Sequence, residues 1–233
     1  MKKFIFMLII SIVIGIGLLI IGFIYSYNPF FHGSIIVGLC ILLGTAVKSM
    51  DQIIDQINIK SYRLWLIPLA IFIPGSMVYL ALTEEPVVGL VIGTIVGMLI
   101  AGKIDHPAYV LSVIIFVLLL FVSVSLQIIT IEINTYYIIP VATIGSFLDE
   151  FGHERYVKNN KIVNFIFKHR FFLKIFAFFG VLAGFAQPVH LIGFLCFDIF
   201  YDLIGTSYEL DSIKKHLIHN NSNFKFRKEA NNA

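Results

Sequence analysis

The chain has 233 residues, of which 58% are hydrophobic and only 13% are charged. A soluble domain carries about 25% charged residues, and a chain with a mean hydropathy of +0.92 has too little polar surface to cover a fold in water. This composition excludes a soluble enzyme and a secreted disulfide scaffold, and it leaves no room for a sizeable domain outside the membrane. It predicts an all-α fold, a polytopic bundle of transmembrane helices.

Eight apolar segments follow one another along the chain, separated by short polar breaks. Each is near the length of roughly 20 apolar residues that a helix needs to cross a bilayer. We therefore predict about eight membrane spans. In chain order they are approximately 4–25, 31–49, 64–82, 86–103, 107–128, 134–148, 171–186 and 188–205.

The basic residues are distributed unevenly between the two sides of these predicted spans. Four of the breaks contain no Lys or Arg, whereas the other breaks and the two chain ends are rich in both. Cytoplasmic loops concentrate Lys and Arg, so we predict that both termini are cytoplasmic. Residues 1–205 would then form a bundle in the cell membrane, and residues 206–233 a polar cytoplasmic tail. The four breaks without basic residues are 26–30, 83–85, 130–134 and 187–188.

Acidic residues lie near the cytoplasmic ends of the even-numbered predicted helices. Helix C-termini favour cations by about 0.3–1 kcal/mol, so acids there need a compensating positive charge. In three places an acid is followed four residues later by a second metal-binding side chain, and this spacing puts both on one helix face about 5–6 Å apart. Such pairs suit Mg²⁺. In the alternative interpretation, the acids are interfacial and pair with Lys48, Arg63, Lys103 and Arg155. The three pairs are Asp51 with Asp55, Asp149 with His153, and Asp198 with Asp202.

Asp198 is predicted to lie deep in the membrane. It follows Pro188 in the preceding break by ten residues, a rise of about 15 Å on a helix. Acids at this depth are costly and are functional-site candidates by default. We expect its carboxylate to be satisfied by a cation shared with Asp202, by a proton, or by a basic partner such as Lys103. The structural alternative is an irregular segment that lets the last helix sit lower.

Two small-residue motifs, Gly93-x-x-x-Gly97 and Gly180-x-x-x-Gly184, interrupt the apolar segments. Small residues at this spacing allow two helices in a membrane to approach closely. We predict that both motifs pack against helices of the same bundle. Dimerisation through them is the alternative.

The segment Asp51-Gln-Ile-Ile-Asp55-Gln-Ile-Asn58, continuing to Arg63, resembles the first aspartate-rich loop of the UbiA-type intramembrane prenyltransferases. That loop follows the second helix of the family and carries spaced aspartates, then an Asn and an Arg. The second motif of the family, D-x-x-x-D after the sixth helix, has a counterpart in the segment that begins at Asp149 and ends at His153.

This resemblance implies an Mg²⁺-dependent enzyme that transfers a prenyl group from its diphosphate to a lipophilic acceptor. Its implied metal ligands are Asp51, Asp55 and Asp149, and these are candidate catalytic residues together with Asp198. The spacing of Asp198 and Asp202 makes both of them further candidate metal ligands. Residues implied near the phosphates are Asn58, Arg63 and Arg155.

Two other classes of protein stay open at the level of sequence. The first is a small transporter or ion-coupled carrier in which Asp198 and its neighbours bind a cation or a proton. The second is a membrane protein without a catalytic role. The expected partners are membrane lipid and, for the enzyme, an isoprenoid diphosphate. No motif predicts binding of nucleic acid.

Overall fold

The computed structural model describes residues 2–24, 29–55, 63–129, 133–156, 166–167 and 170–208. Across these residues the chain forms eight helices and no strand, which confirms the predicted all-α bundle. The helices are α1 Lys2–Ile24, α2 Pro29–Asp55, α3 Leu66–Thr83, α4 Glu85–Ile100, α5 Pro107–Ser125, α6 Ile133–Tyr156, α7 Phe171–Leu182 and α8 Pro188–Tyr208.

Five of the eight helices, namely α1, α2, α3, α5 and α8, are long and apolar enough to cross a membrane. Much of their surface is apolar and faces outward: Val13 on α1 is 64% exposed, and Phe121 on α5 is 69% exposed. Soluble monomers do not expose apolar surface on this scale. The protein is therefore embedded in a membrane, with this surface against lipid. The helices α4 and α7 are apolar but shorter.

Two helices continue beyond the predicted spans. A stripe of buried residues on α2, spaced by three or four positions, includes Leu39, Leu43 and Met50 and packs against α3. Because this stripe goes on to Ile53, which is 6% exposed, the helix runs through Asp55 instead of giving way to a loop at residue 50. The sixth helix likewise continues beyond the predicted end at residue 148, as far as Tyr156. Both helices are therefore longer than the predicted membrane spans 31–49 and 134–148, and α2 carries Asp51 and Asp55 on one helix, as their spacing predicts.

The order of packing follows from which helices touch. Within the bundle α2 packs against α1 and α3, α3 against α4 and α5, and α6 against α4 and α7. The last helix lies against α2, where a Cβ added to Gly44 would overlap the carbonyl of Phe197. These contacts bring α2, α4, α6 and α8 around one interior space.

The first of the two glycine motifs packs as predicted and the second does not. A Cβ at Gly97 of α4 would lie 2.6 Å from the carbonyl oxygen of Thr143 on α6, so only glycine allows the two backbones to approach this closely. By contrast, a Cβ at Gly180 or Gly184 would meet no described atom within 4 Å. The prediction of internal packing is therefore wrong for the second motif, because α7 presents that face to open space.

Candidate functional site

A cavity of about 650 Å³ occupies the interior of the bundle. Its lining on α2 runs from Ile36 to Asp55, and its lining on α8 runs from His190 to Thr206. At 1.5 Å of rise per residue, these segments span about 25 Å along the bundle. The cavity is therefore a long channel between the helices, within the usual size range of small-molecule sites.

The charged residues that line this cavity lie between its middle, where Asp198 is found, and one of its ends, and we call this region the charged end. Seven acids and three bases contribute to it among the described residues. The remaining lining side chains are mainly apolar. The cavity thus combines a polar end with an apolar length. The acids are Asp51, Asp55, Asp105, Asp149, Glu150, Asp198 and Asp202, and the bases are Lys48, Lys103 and Arg170.

Asp51 connects three helices at the charged end. Its Oδ1 accepts a hydrogen bond from the Tyr109 hydroxyl of α5, and its Oδ2 accepts one from the Tyr201 hydroxyl of α8 at 2.6 Å. The Nζ of Lys48, one turn earlier on α2, lies 3.3 Å from the same Oδ2. Both carboxylate oxygens of Asp51 therefore already have protein donors.

Arg170 brings a permanent positive charge to the same cluster. Its guanidinium lies 2.9 Å from a carboxylate oxygen of Glu150 and donates to the Tyr201 hydroxyl at 3.2 Å. Burial by itself would lower the pKa of this guanidinium, but the neighbouring Tyr201, Glu150, Asp51 and Asp198 raise its pKa above the ordinary value. The backbone of Arg170 is left-handed, with φ at 47°, a conformation that costs a non-glycine residue about 1–3 kcal/mol.

Asp149 has a different partner from the one predicted. Its side chain, on α6, is almost fully buried, and its two oxygens accept hydrogen bonds from the backbone N–H groups of Phe172 at 3.0 Å and Leu173 at 2.8 Å. These N–H groups belong to the first turn of α7 and have no partner within that helix. Asp149 therefore caps α7 from a neighbouring helix, where its negative charge also suits the helix dipole.

Asp198 forms an ion pair inside the bundle. Its carboxylate contacts the Nζ of Lys174 on α7, and the Asp198 side chain is only 5% exposed. A basic partner was one of the three possibilities that its predicted depth left open. That partner is Lys174, not Lys103.

The other predicted site residues divide into two groups. Asp55 and Asp202 line the same cavity as Asp51, Asp149 and Asp198, so the five candidate metal ligands converge on one space. Arg63 is exposed ahead of α3 and is not among the residues that line the cavity. Asn58 lies outside the described residues, and so do the side chains of His153 and Arg155.

A preformed Mg²⁺ site does not fit these contacts. Asp51, Asp149 and Asp198 each have protein donors on their carboxylates. Within the described part of the chain, no group of three His, Cys, Asp or Glu side chains is placed to hold a metal ion. Mg²⁺ binding stays a prediction from the sequence.

Four residues of the cluster were not predicted: Tyr109, Arg170, Lys174 and Tyr201. Lys174 carried a usable signal, because a lysine inside an apolar segment needs a partner in the membrane. Tyr201 lies between Asp198 and Asp202 on α8, which places it near them on the helix. Tyr109 had no comparable signal, since its role depends on the position of α5.

A second polar contact lies at the opposite end of the bundle. The Nε2 of His190 on α8 lies 2.7 Å from a carboxylate oxygen of Glu84, which precedes α4. The Nδ1 of His190 accepts a hydrogen bond from the backbone N–H of Gln187 at 3.0 Å. Because an acceptor nitrogen carries no proton, the proton of the neutral ring lies on Nε2, which donates to Glu84.

No family model, curated protein or solved structure matches this chain. The resemblance to the UbiA-type prenyltransferases therefore rests on the residues quoted above.

Proposed function

We propose that this chain is a multi-pass protein of the cell membrane that binds an amphiphilic ligand in its long cavity. The observation that carries this proposal is the polarity of the cavity, with its charged residues at one end and apolar side chains along the rest. A ligand with a polar head and a hydrocarbon chain matches this division. Its chain would lie between α2, α4 and α8, and its head would lie at the charged end.

The resemblance in sequence makes an isoprenoid diphosphate the first ligand to test. Lys48, Lys103 and Arg170 are the cations that line the charged end, and they would contact the phosphates directly. Lys48 and Arg170 both lie close to the Tyr201 ring, 4.6 and 4.5 Å from its centroid. This places two positive charges near one point. A divergent prenyltransferase is the enzyme that such binding would serve.

A cation-coupled or proton-coupled carrier is the second candidate. The excess of acids over bases at the charged end favours it, because seven carboxyl groups and three cations leave a net negative site. The Asp198–Lys174 pair inside the bundle would be its switch, since a cation or proton taken up by Asp198 would release Lys174. The same excess of negative charge opposes a diphosphate that arrives without a counterion.

Thermal unfolding of the purified protein in detergent tests the first proposal. Geranylgeranyl diphosphate should raise the unfolding temperature, with a gain of about 2.7 kcal/mol at a hundredfold excess over the dissociation constant. Inorganic diphosphate and geranylgeraniol should each give a smaller rise, because each lacks one half of the ligand. Each ligand is measured with and without Mg²⁺, so that any dependence on the metal is seen directly.

A pair of matched variants locates the ligand. Val91 of α4 lines the cavity, and Val91→Trp should remove the rise because the larger ring fills the space of the chain. Val117 of α5 is 54% exposed on the outside of the bundle. Val117→Trp should therefore show the same rise in unfolding temperature as wild type. If geranylgeranyl diphosphate gives no rise while the unfolding temperature responds to pH or Na⁺, the carrier replaces the first proposal.

A further inference from the structure

A second cavity, of about 480 Å³, lies beside the first and extends from Leu173, next to the charged end, as far as Pro86 and Ala186 near the opposite end of the bundle. It is bounded by α4, α6, α7 and α8. Among the residues described around it, only Tyr137 and His190 carry polar side-chain atoms. It meets the first cavity along one shared wall, formed by the five residues that line both: Val87, Leu90, Leu173, His190 and Phe194.

The second cavity runs along α7, from Leu173 to Val181, and past the end of this short helix. The helix has 12 residues, about 18 Å, whereas the hydrocarbon core of a bilayer is about 30 Å thick. It ends in a Schellman motif: Gly184, with φ at 77°, donates its N–H to the carbonyl of Val181, and Phe185 donates to that of Gly180. Beyond this end, α7 no longer fills the gap between α6 and α8.

The lining offers little that would hold water in this space. Both nitrogens of His190 already have partners, Gln187 and Glu84. Apolar cavities stay dry, and protein interiors contain few voids larger than a water molecule. Inside a bilayer the material that can fill such a space is hydrocarbon.

The rim of the second cavity faces the lipid. Tyr137 is 58% exposed, Val141 42% and Phe179 58%, and all three also line the cavity. A chain from the surrounding bilayer can therefore reach it without passing the charged end.

We propose that this second cavity binds one hydrocarbon chain of a membrane lipid, taken laterally from the bilayer. The part of the lipid inside the cavity is an uncharged hydrocarbon chain. None of the described lining residues is an Asp, Glu, Lys or Arg that could pair with a charged group there. Although the two cavities share one wall, this proposal does not depend on the ligand proposed for the first cavity.

Photo-crosslinking in detergent micelles tests this proposal. The probe is a phosphatidylcholine with a diazirine near the end of one acyl chain, and cross-linked peptides are mapped by mass spectrometry. Labelling of α7 around Phe176 should saturate with the probe and fall when unlabelled phosphatidylcholine is added. Labelling of α5 around Phe121, which faces bulk lipid, should rise in proportion to the probe without saturating.

Two matched glycine variants give the control. A leucine at Gly180 would project into the cavity, so Gly180→Leu should lower the saturable labelling of α7 about tenfold. Gly75 of α3 likewise has open space around it but lies outside the cavity, and Gly75→Leu should leave the labelling unchanged. If Gly180→Leu does not fold, Ala177→Phe fills the same cavity from the previous turn of α7.

A variant in the first cavity shows which of the two cavities holds the acyl chain. Val91→Trp fills only the first and should leave the α7 labelling intact; its loss would place the chain in the first cavity and overturn this proposal. Labelling of α7 that does not saturate, or that survives both cavity-filling variants, would equally overturn it. Neither result depends on whether geranylgeranyl diphosphate stabilises the protein.

Discussion

Tyr201 is the side chain through which acids and cations at the charged end contact one another. Its hydroxyl donates to Asp51 at 2.6 Å and accepts from Arg170 at 3.2 Å and from Lys48 at 3.3 Å. A hydroxyl can donate one hydrogen bond and accept two, so these contacts use its full capacity. One oxygen atom thus couples α2, α8 and the residue that precedes α7.

Tyr201→Phe removes this oxygen and keeps the ring. Because Asp51 would lose a donor and two cations would lose an acceptor, we expect a loss of about 1–3 kcal/mol in the free energy of unfolding. Tyr79→Phe, at an exposed tyrosine of α3, is the control and should change stability by less than about 0.5 kcal/mol. Unfolding in detergent measures both, and equal stability of Tyr201→Phe and wild type would mean that these contacts stabilise nothing.

The Asp198–Lys174 pair distinguishes a structural role from a functional one. Asp198→Asn removes the carboxylate that Lys174 contacts, and the Lys174 side chain is only 21% exposed, so we expect a loss of up to about 3 kcal/mol. Adding Lys174→Met should recover most of this loss, because the double variant has no buried charge at the pair. A double-mutant cycle of unfolding free energies measures the coupling. If Asp198→Asn is as stable as wild type, the pair is not structural, and Asp198 becomes the first residue to test in transport.

At the scale of elements, α7 depends on a cap that its own sequence does not supply. The residue before it, Arg170, is left-handed and makes no side-chain cap hydrogen bond. The cap comes from Asp149 on α6, which accepts from two N–H groups of the first turn. The start of α7 is therefore determined by how α6 is placed.

Removing that cap should loosen the first turn of α7. We expect Asp149→Ala to cost about 0.5–2 kcal/mol, the range for loss of a helix cap. Amide hydrogen exchange at Phe172 and Leu173 should accelerate, while exchange in the middle of α2 stays as in wild type. Asp149→Asn retains one acceptor oxygen, so its stability and its exchange rates should lie between those of wild type and Asp149→Ala. Unchanged exchange at Phe172 in the alanine variant would contradict a capping role.

At the scale of the whole molecule, the orientation in the membrane is the property that decides which compartment the charged end faces. The charged end lies on the side where the breaks are rich in Lys and Arg, so it is predicted to be cytoplasmic. The Glu84–His190 contact would then face outward. A ligand head bound at the charged end would come from the cytoplasm.

Cysteine labelling tests this orientation in a background without Cys40 and Cys196. Both Gln187 and Arg63 are exposed in the structure, so either position should be accessible to a reagent in the solvent next to it. An impermeant maleimide added to intact cells should label a cysteine at Gln187 and not one at Arg63. Labelling of Arg63 from outside would reverse the predicted orientation.

The sequence alone determined that this protein lies in a membrane, and it determined the positions of the helices along the chain. Hydropathy is a sum over neighbouring residues, so all eight helices could be found from local composition. The acids that converge on the cavity were also found, because their spacing on single helices is a local property. The helices α2 and α6 run past the predicted ends of their membrane spans, and they stay buried there, at Ile53 and at Gly152.

The partners of those acids were decided by the tertiary structure alone. Tyr109 lies 58 residues from Asp51 in sequence, and Tyr201 lies 150 residues from it. Asp149 reaches α7, and Asp198 selects Lys174, because α6, α7 and α8 pack side by side. A carboxylate is the same group in the sequence whether it caps a helix, pairs with lysine or binds a ligand. Only the backbone and side-chain groups that packing brings within hydrogen-bond distance determine which of these it does.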